Sequence, residues 1–591
     1  MNIYNKILED IKLSLKAVSA AQSWPDELDF SRIDAVPPKD DAHGDIATNA
    51  AMVIVSQLRS SSGAVAQTNP KVIAEALVAE LKKLPHITKA DIAGPGFINI
   101  TLAPAVWHSV IPVVLSERIG FGNSVLGKNQ RVNVEYVSVN PTGPMHVGHA
   151  RYIYGDALAD LLIKAGYSVT KEYYINDAGA QVDKVADSVY LRYREACGEK
   201  IGEIPEGLYP GEYLMPIGEA LFKIHDHSLL TKERAEWLPI VRDYALEAMM
   251  QLIKSDLALL GIHHDVFTSE RAITAAGKVE EAMQALAKQG LIYEGVLEAP
   301  KGKAPEDWEP RPQTLFKSSA FGDDSDRAVK KSDGSWTYFG PDIAYQFDKI
   351  NRGFDKLIML LGVDHGGYVK RLQAAVNALS KGSVELEVKL CQLVKFMRAG
   401  EPMKMSKRAG TFITVREVVE EVGKDVFRFI MLTRKNDAPL DFDFDLVKAQ
   451  TRENPVFYVQ YAHARAQSVI RLAAADMPEA RVRAKTPDAN LLALLNAPEE
   501  LALIRAMANW PRIVESAAIA AEPHRIAFYL QDLAGAFHAL WNKGNDELTL
   551  RFLQKDAIDI TAARLAMLEA FALTIASGLT VLGVEPIQEL R

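Results

Sequence analysis

Cysteine is almost absent, with Cys197 and Cys391 the only two in 591 residues. Thiols so far apart in the chain cannot form a zinc ribbon and do not suggest a disulfide framework, so both are expected to be buried and reduced. No stretch reaches the ~18 uninterrupted apolar residues that a membrane-spanning helix needs. The opening Met1–Lys6 runs into a polar-faced helix pattern and predicts no cleaved signal. Net positive charge is also lacking: 67 Lys and Arg against 76 Asp and Glu leave −9. That argues against nonspecific coating of a polyanion, but not against one shaped RNA partner met by local basic surface. There is no repeat of fixed period and no low-complexity tract.

What is present reads as three or four soluble domains, with an ordinary 48% hydrophobic and 24% charged residues. Residues 1–118 mix helix and strand. Val72–Leu84 has helical spacing, and Gly94-Pro95-Gly96 then breaks into an alternating strand, Phe97–Leu102. From Arg131 a strand alternates through Ser138, turns at Asn140–Pro144, and leads to an apolar helix, Ala150–Ala165, and a second strand, Ser168–Tyr174. Strand, turn, helix, strand opens a parallel βαβ unit, and Lys356–Leu361 supplies a further strand. Two stretches, Gly202–Gly218 and Pro300–Pro312, read as insertions over the sheet. Past residue 443 the composition shifts: no glycine falls between Gly423 and Gly535. Tyr458, Tyr461, Ala462 and Arg465 recur at helical spacing, as do Ile526, Leu530, Leu533 and Phe537, which predicts a helical bundle.

Two short segments carry chemistry. His146-Val147-Gly148-His149 sits between a strand and a helix, where free backbone N–H groups and the helix dipole favour phosphate. Gly148 leaves room for a purine against the backbone, and the histidines can donate to phosphate oxygens as charge builds at the α-phosphorus. Lys404-Met405-Ser406-Lys407, ending at Gly410, places two compact point charges on a glycine-ended loop suited to a triphosphate. By itself the second segment is an ordinary solvated basic loop. Its pairing with the first, in this order on an α/β chain, gives it meaning.

These segments resemble the HIGH and KMSK signatures of class I aminoacyl-tRNA synthetases. The longer runs Asn140–Arg151, Tyr173–Gly179, Gly340–Tyr345 and Tyr458–Arg465 resemble the arginyl family in particular. Gly44–Asn49 and Gly94–Asn99 resemble that family's additional N-terminal domain, so the likeness covers almost the whole chain. It implies an α/β fold: a Rossmann-like parallel-sheet catalytic domain (119–442), an α+β N-terminal tRNA-contacting domain (1–118) and an all-α anticodon-binding bundle (443–591). The implied substrates are L-arginine, tRNA(Arg) and ATP with Mg2+, with no tightly bound metal. A cytoplasmic monomer is expected, with bound tRNA needed before the amino acid is activated.

By the same resemblance His146, His149, Lys404 and Lys407 act in catalysis, and ATP lies along His146, Gly148, His149 and Lys404–Lys407. Glu135 and Asn140 would hold the α-amino and carboxylate ends of arginine. Tyr338 and Asp342 would hold the guanidinium, a planar fork that wants carboxylates around its edge. His146 would touch both substrates, and His365 or its neighbour Asp364 would meet the amino acid. Tyr458, Tyr461 and Arg465 are candidates for splayed RNA bases, whereas Trp541, Phe528 and Phe537 read as bundle core. The sequence departs from the family pattern at Gln346, at Asp364-His365 and at Arg408. Two other readings are a class I synthetase for another amino acid, such as lysine, and a His-x-Gly-His nucleotidylyltransferase.

Overall fold

A computed structural model describes residues 2–25, 27–59, 69–149, 152–297, 311–331, 333–403 and 413–589. At its centre is a five-stranded sheet built from β1 (Arg131–Glu135) and the helix α1 (Tyr152–Lys164), then β2 (Ser168–Ile175). A helical excursion follows, chiefly α2 (Ala180–Ala196) and α3 (Arg234–Leu259), before β3 (Val266–Ser269). Next come α4 (Phe339–Asn351), β4 (Lys356–Gly362), α5 (Val369–Ser380) and β5 (Glu385–Cys391). All neighbours pair in parallel, in the order β5-β4-β1-β2-β3. Chain progression therefore reverses between β1 and β4, and ligand clefts in open α/β sheets form outside the strand ends at such a point. β1 is buried on both faces, as a central parallel strand requires.

β1 is shorter than its alternation suggests. It stops at Glu135 because Val137 and Ser138 adopt φ of 72° and 44°. A β-branched residue in the left-handed region is strained, and such strain collects at functional sites. The excursion has its own small core, in which Tyr190 and Trp237 stack at 3.7 Å. It is thus an insertion over the sheet, as the Gly202–Gly218 composition suggested. The Pro300–Pro312 stretch falls mostly outside the described residues.

After β5 the chain forms α6 (Val415–Val422) and α7 (Lys424–Met431), then a bundle whose long helices are α8 (Pro455–Asp476), α9 (His524–Asp546) and α10 (Ile558–Val581). Ile526, Leu530, Leu533 and Phe537 are fully buried, as their spacing predicts. Phe528 is not core: it is 46% exposed, because it lies two positions off that stripe. The N-terminal segment is a four-stranded antiparallel sheet with helices, in which the expected helix and strand appear as Pro70–Leu81 and Phe97–Leu102. None of the described helices is long and apolar enough to cross a membrane.

One buried cation joins these units. Arg428 on α7 donates from Nε to the Leu582 carbonyl (2.8 Å), just past α10, and from Nη1 to the Leu260 carbonyl (2.9 Å), at the end of α3. Its Nη2 pairs with Asp156 on α1 at 2.7 Å, and Asp156 also accepts from the Tyr136 hydroxyl and from Lys171. Gly583 has φ +65°, and a Cβ there would fall 2.2 Å from the Arg428 guanidinium. Removing one partner of a buried pair leaves an uncompensated charge. Asp156→Ala is therefore expected to destabilise the protein by about 3–5 kcal/mol. Urea denaturation measures this, and a loss under about 1 kcal/mol would contradict the role given to Arg428.

Candidate active site

The cleft opens at the reversal point. A cavity of about 510 Å³ lies between the turn after β1 (Ser138, Asn140), the segment after β4 (Asp364, His365) and the end of β5. Its roof comes from the helical insertion. Tyr213 donates its hydroxyl to the Thr142 carbonyl at 2.7 Å, and its ring lies over Gly143, where a Cβ would come within 2.9 Å of the hydroxyl oxygen. Gln181, on α2, accepts from Asn140 Nδ2 at 2.9 Å, which fixes the amide with its Oδ1 as the remaining acceptor. Tyr209 completes this wall. Gln181, Tyr209 and Tyr213 had no sequence signal for a place here, since their own elements are ordinary helix and loop.

The His-x-Gly-His turn meets the segment that follows the second signature. Val147 N–H donates to the Ile413 carbonyl (3.0 Å) and Val415 N–H to the Met145 carbonyl (2.9 Å), so His146 bridges Thr414 in a short antiparallel ladder. His146 lines the cavity. Gly148 does too, and a Cβ there would sit 3.2 Å from His146 Nδ1, so glycine leaves the imidazole its position. Lys404, Met405, Ser406 and Lys407 lie outside the described residues, as does the side chain of His149.

A group of acids gathers behind the cavity wall: Glu135, Asp342, Glu270 and Asp177 do not line the cavity, but Glu135 and Asp342 are bonded to Ser138, which lines it, and to Tyr368, which follows the lining Asp364 and His365. Glu135, at the end of β1, is held by Lys349 Nζ at 2.5 Å and by the Ser138 hydroxyl at 3.2 Å. Asp342, in the first turn of α4, accepts from the Tyr368 hydroxyl. Burial pushes its pKa up to about 6, with Glu135 adding to the rise while the Tyr368 hydrogen bond and His365 oppose it. Glu270, which the sequence reading did not single out, is pushed up to about 7 by burial and by the charges of Asp342 and Asp177. Asp177 is anchored by Ser269 (2.6 Å) and by the Arg271 backbone N–H (2.9 Å). All four carboxylates act on one ring: after burial, Glu270, Asp342, Glu135 and Asp177 raise the Tyr174 hydroxyl. Among the described residues neither Asp342 nor Glu270 has an ion-pair partner. Tyr338 is 86% exposed and does not line the cavity. His365 does line it, 3.6 Å from Asp364, which lines it as well. Gln346 is buried against Met359, away from the cleft.

On the bundle, Arg465 is sandwiched between the rings of Tyr461 (4.0 Å) and Trp541 (4.7 Å). Tyr458 packs on His538 at 4.6 Å. Trp541 is only partly buried, so it belongs to this cation–aromatic cluster as much as to the core.

A reversal-point cleft that brings a strand–turn His-x-Gly-His beside the return of a second basic signature defines a class I aminoacyl-tRNA synthetase, and residues 110–200 match the family model "tRNA synthetases class I (R), catalytic domain". Residues 5–102 match the "Arginyl tRNA synthetase N terminal domain" and 459–590 the "DALR anticodon binding domain". The chain is 54% identical over 592 residues to the arginine–tRNA ligase of Parvibaculum lavamentivorans, covering 100% of both chains. It is 56% identical over 595 residues to that of Cereibacter sphaeroides, again covering 100% of each. The Thermus thermophilus arginyl-tRNA synthetase structure shares the fold at a TM-score of 0.71, covering 99% of this chain and 100% of that one at 20% identity. The chain belongs to the arginine–tRNA ligase family.

The raised carboxyls give a pH signature. Carboxyls that hold protons near neutrality would have to release them to take a guanidinium, so an arginine held by Asp342 and Glu270 would bind more tightly as pH rises through the values near 6 and 7. The KM for arginine is expected to fall between about pH 5.5 and about pH 8, by at most tenfold per unit for each proton released. Glu270→Gln should raise that KM about 10-fold or more. A KM independent of pH in the wild type would remove the acidic pocket from arginine recognition.

Proposed function

We propose that this cleft activates L-arginine with ATP and passes the arginyl group to the 3′-terminal adenosine of tRNA(Arg). The observation that carries this reading is the set of desolvated acids, Asp342 and Glu270 foremost, beside the cavity that His146 lines. Mutually repelling carboxylates in a poorly solvated place favour a cation, and a guanidinium offers five donors in a fixed fork. Lysine carries the charge but fills fewer acceptors.

In this proposal arginine lies with its guanidinium among Asp342, Glu270 and Tyr338, the last turning in from its exposed position. Its α-ammonium meets the Asn140 Oδ1 and Glu135, and His365 closes the pocket. The carboxylate attacks the α-phosphorus of ATP, and pyrophosphate leaves. His146, His149, Lys404 and Lys407 carry the charge that develops on the phosphates, with the nucleotide along Gly148 and Met405–Ser406. The mixed anhydride then transfers its acyl group to a ribose hydroxyl, and AMP leaves. No protein nucleophile is required: positioning and charge stabilisation do the work.

No trio of metal-binding side chains occurs among the described residues. Mg2+ is assigned to the nucleotide's own phosphates, whose charge it would neutralise. Residues 1–118 and 443–591 are assigned to the tRNA, with Tyr458, Tyr461 and Arg465 stacking on or pairing with splayed anticodon bases, and 119–442 to catalysis. A cytoplasmic monomer fits this reading.

Charging of total tRNA with arginine, lysine and citrulline tests it. Arginine should be joined and lysine should not. Citrulline should be disfavoured by about 10⁴-fold, because it leaves buried acids unpaired. Equal use of lysine, or a His149→Ala variant that charges as well as wild type, would overturn the assignment.

A further inference from the structure

We propose that Asp256 is a positioning residue for amino-acid activation: its one carboxylate holds the turn that delivers His146 and, through Arg416, the helix that follows the second signature. This rests on the function proposed above. Asp256 lies near the end of α3, in the insertion, and is 1% exposed. Its Oδ2 accepts from the Met145 backbone N–H at 3.1 Å, one residue before His146. Its Oδ1 accepts from Arg416 Nη2 at 3.2 Å, and that nitrogen also reaches the Ser255 hydroxyl at 3.1 Å.

Arg416 is on the first turn of α6, whose cap is Thr414, the residue that bridges His146. The cap is doubly closed. Glu417 N–H donates to the Thr414 hydroxyl oxygen (3.1 Å), and the Glu417 carboxylate accepts from Thr414 N–H (2.6 Å). Met145 thus has its N–H on Asp256 and its carbonyl on Val415 N–H at 2.9 Å. A ladder of two backbone bonds is too short to keep its register alone. A buried carboxylate that accepts one bond from each side, one of them charge-assisted, supplies the missing constraint. Gln181 and Tyr213 tie the other end of the same turn to the same insertion, so His146 is located from the insertion and not only from the sheet.

This differs from a merely structural ion pair in what it should change. Arg416 is 42% exposed, so replacing it disturbs packing little. Steady-state charging by Arg416→Gln, Arg416→Lys, Asp256→Asn and the Asp256→Asn/Arg416→Gln pair is measured with melting temperatures. Arg416→Gln is expected to lower kcat about 10- to 100-fold, the scale of a small misplacement of reacting groups, with the KM for arginine within about twofold. Arg416→Lys should recover part of kcat, and the double variant should be no worse than the poorer single one. An unchanged kcat, a loss that tracks the melting temperature, or additive losses in the double variant would overturn the role. Wild-type charging of arginine in the same assay separates this outcome from failure of the proposed function itself.

Discussion

Two backbone hydrogen bonds, between Met145–Val147 and Ile413–Val415, hold together chain segments that are remote in sequence and that flank the two signatures. The rest of the site depends on that closure. Without it the turn that carries His146 would lose its backbone contact with Thr414. With it, the imidazole faces a cavity whose other walls come from β4, β5 and the insertion. So short a ladder is weak, and the molecule surrounds it with side-chain bonds: Asp256 to Met145 of one strand and to Arg416, on the helix that follows the other, and Gln181 and Tyr213 to the turn before it.

The parallel sheet sets where this can happen. Because β1 and β4 lie side by side while their connections leave in opposite directions, the backbone groups at their ends are not covered by a crossover helix. The chain uses the opening twice. After β1, left-handed Val137 and Ser138 swing the backbone out of the sheet, and the Ser138 hydroxyl returns to hold Glu135 and to receive the Tyr174 N–H. After β4, a short helical turn presents Asp364, His365 and Tyr368, the last bonded to Asp342.

Electrostatics divides the region in two. Beneath the cleft, charges are matched: Lys349 with Glu135, Arg352 with Glu172, and Arg428 and Lys171 with Asp156. Behind the cavity wall Asp342 and Glu270 are left without such partners among the described residues, and both hold their protons unusually tightly. In the framework each acid already has its cation, and losing one partner would strand a buried charge, whereas Asp342 and Glu270 have no such cation among the described residues. The Arg428 guanidinium also ties this framework to the bundle, by donating to the Leu582 carbonyl just past its last long helix.

Much of this was legible along the chain. Period-two alternation located β1, the strand–turn–helix order that follows it located β2, an apolar run located β4, helical spacing located the bundle stripe through Phe537, and the first signature named His146 and Gly148, which line the cavity, because local sterics and side-chain period act within a few residues. Glu270, Asp256, Gln181 and Tyr213 were not legible. Each sits in an unremarked helix or loop, and its role exists only where another segment arrives: Glu270 against α4, Asp256 against Met145 and Arg416. The early end of β1 and the exposure of Phe528 were decided in the same way, by a left-handed turn and by a position two residues off the buried stripe. Sequence alone determined the elements, the signature chemistry and the family resemblance. Tertiary structure decided which carboxylates would lack a cation and which would hold the turn, because desolvation and hydrogen-bond partnership belong to neighbours in space.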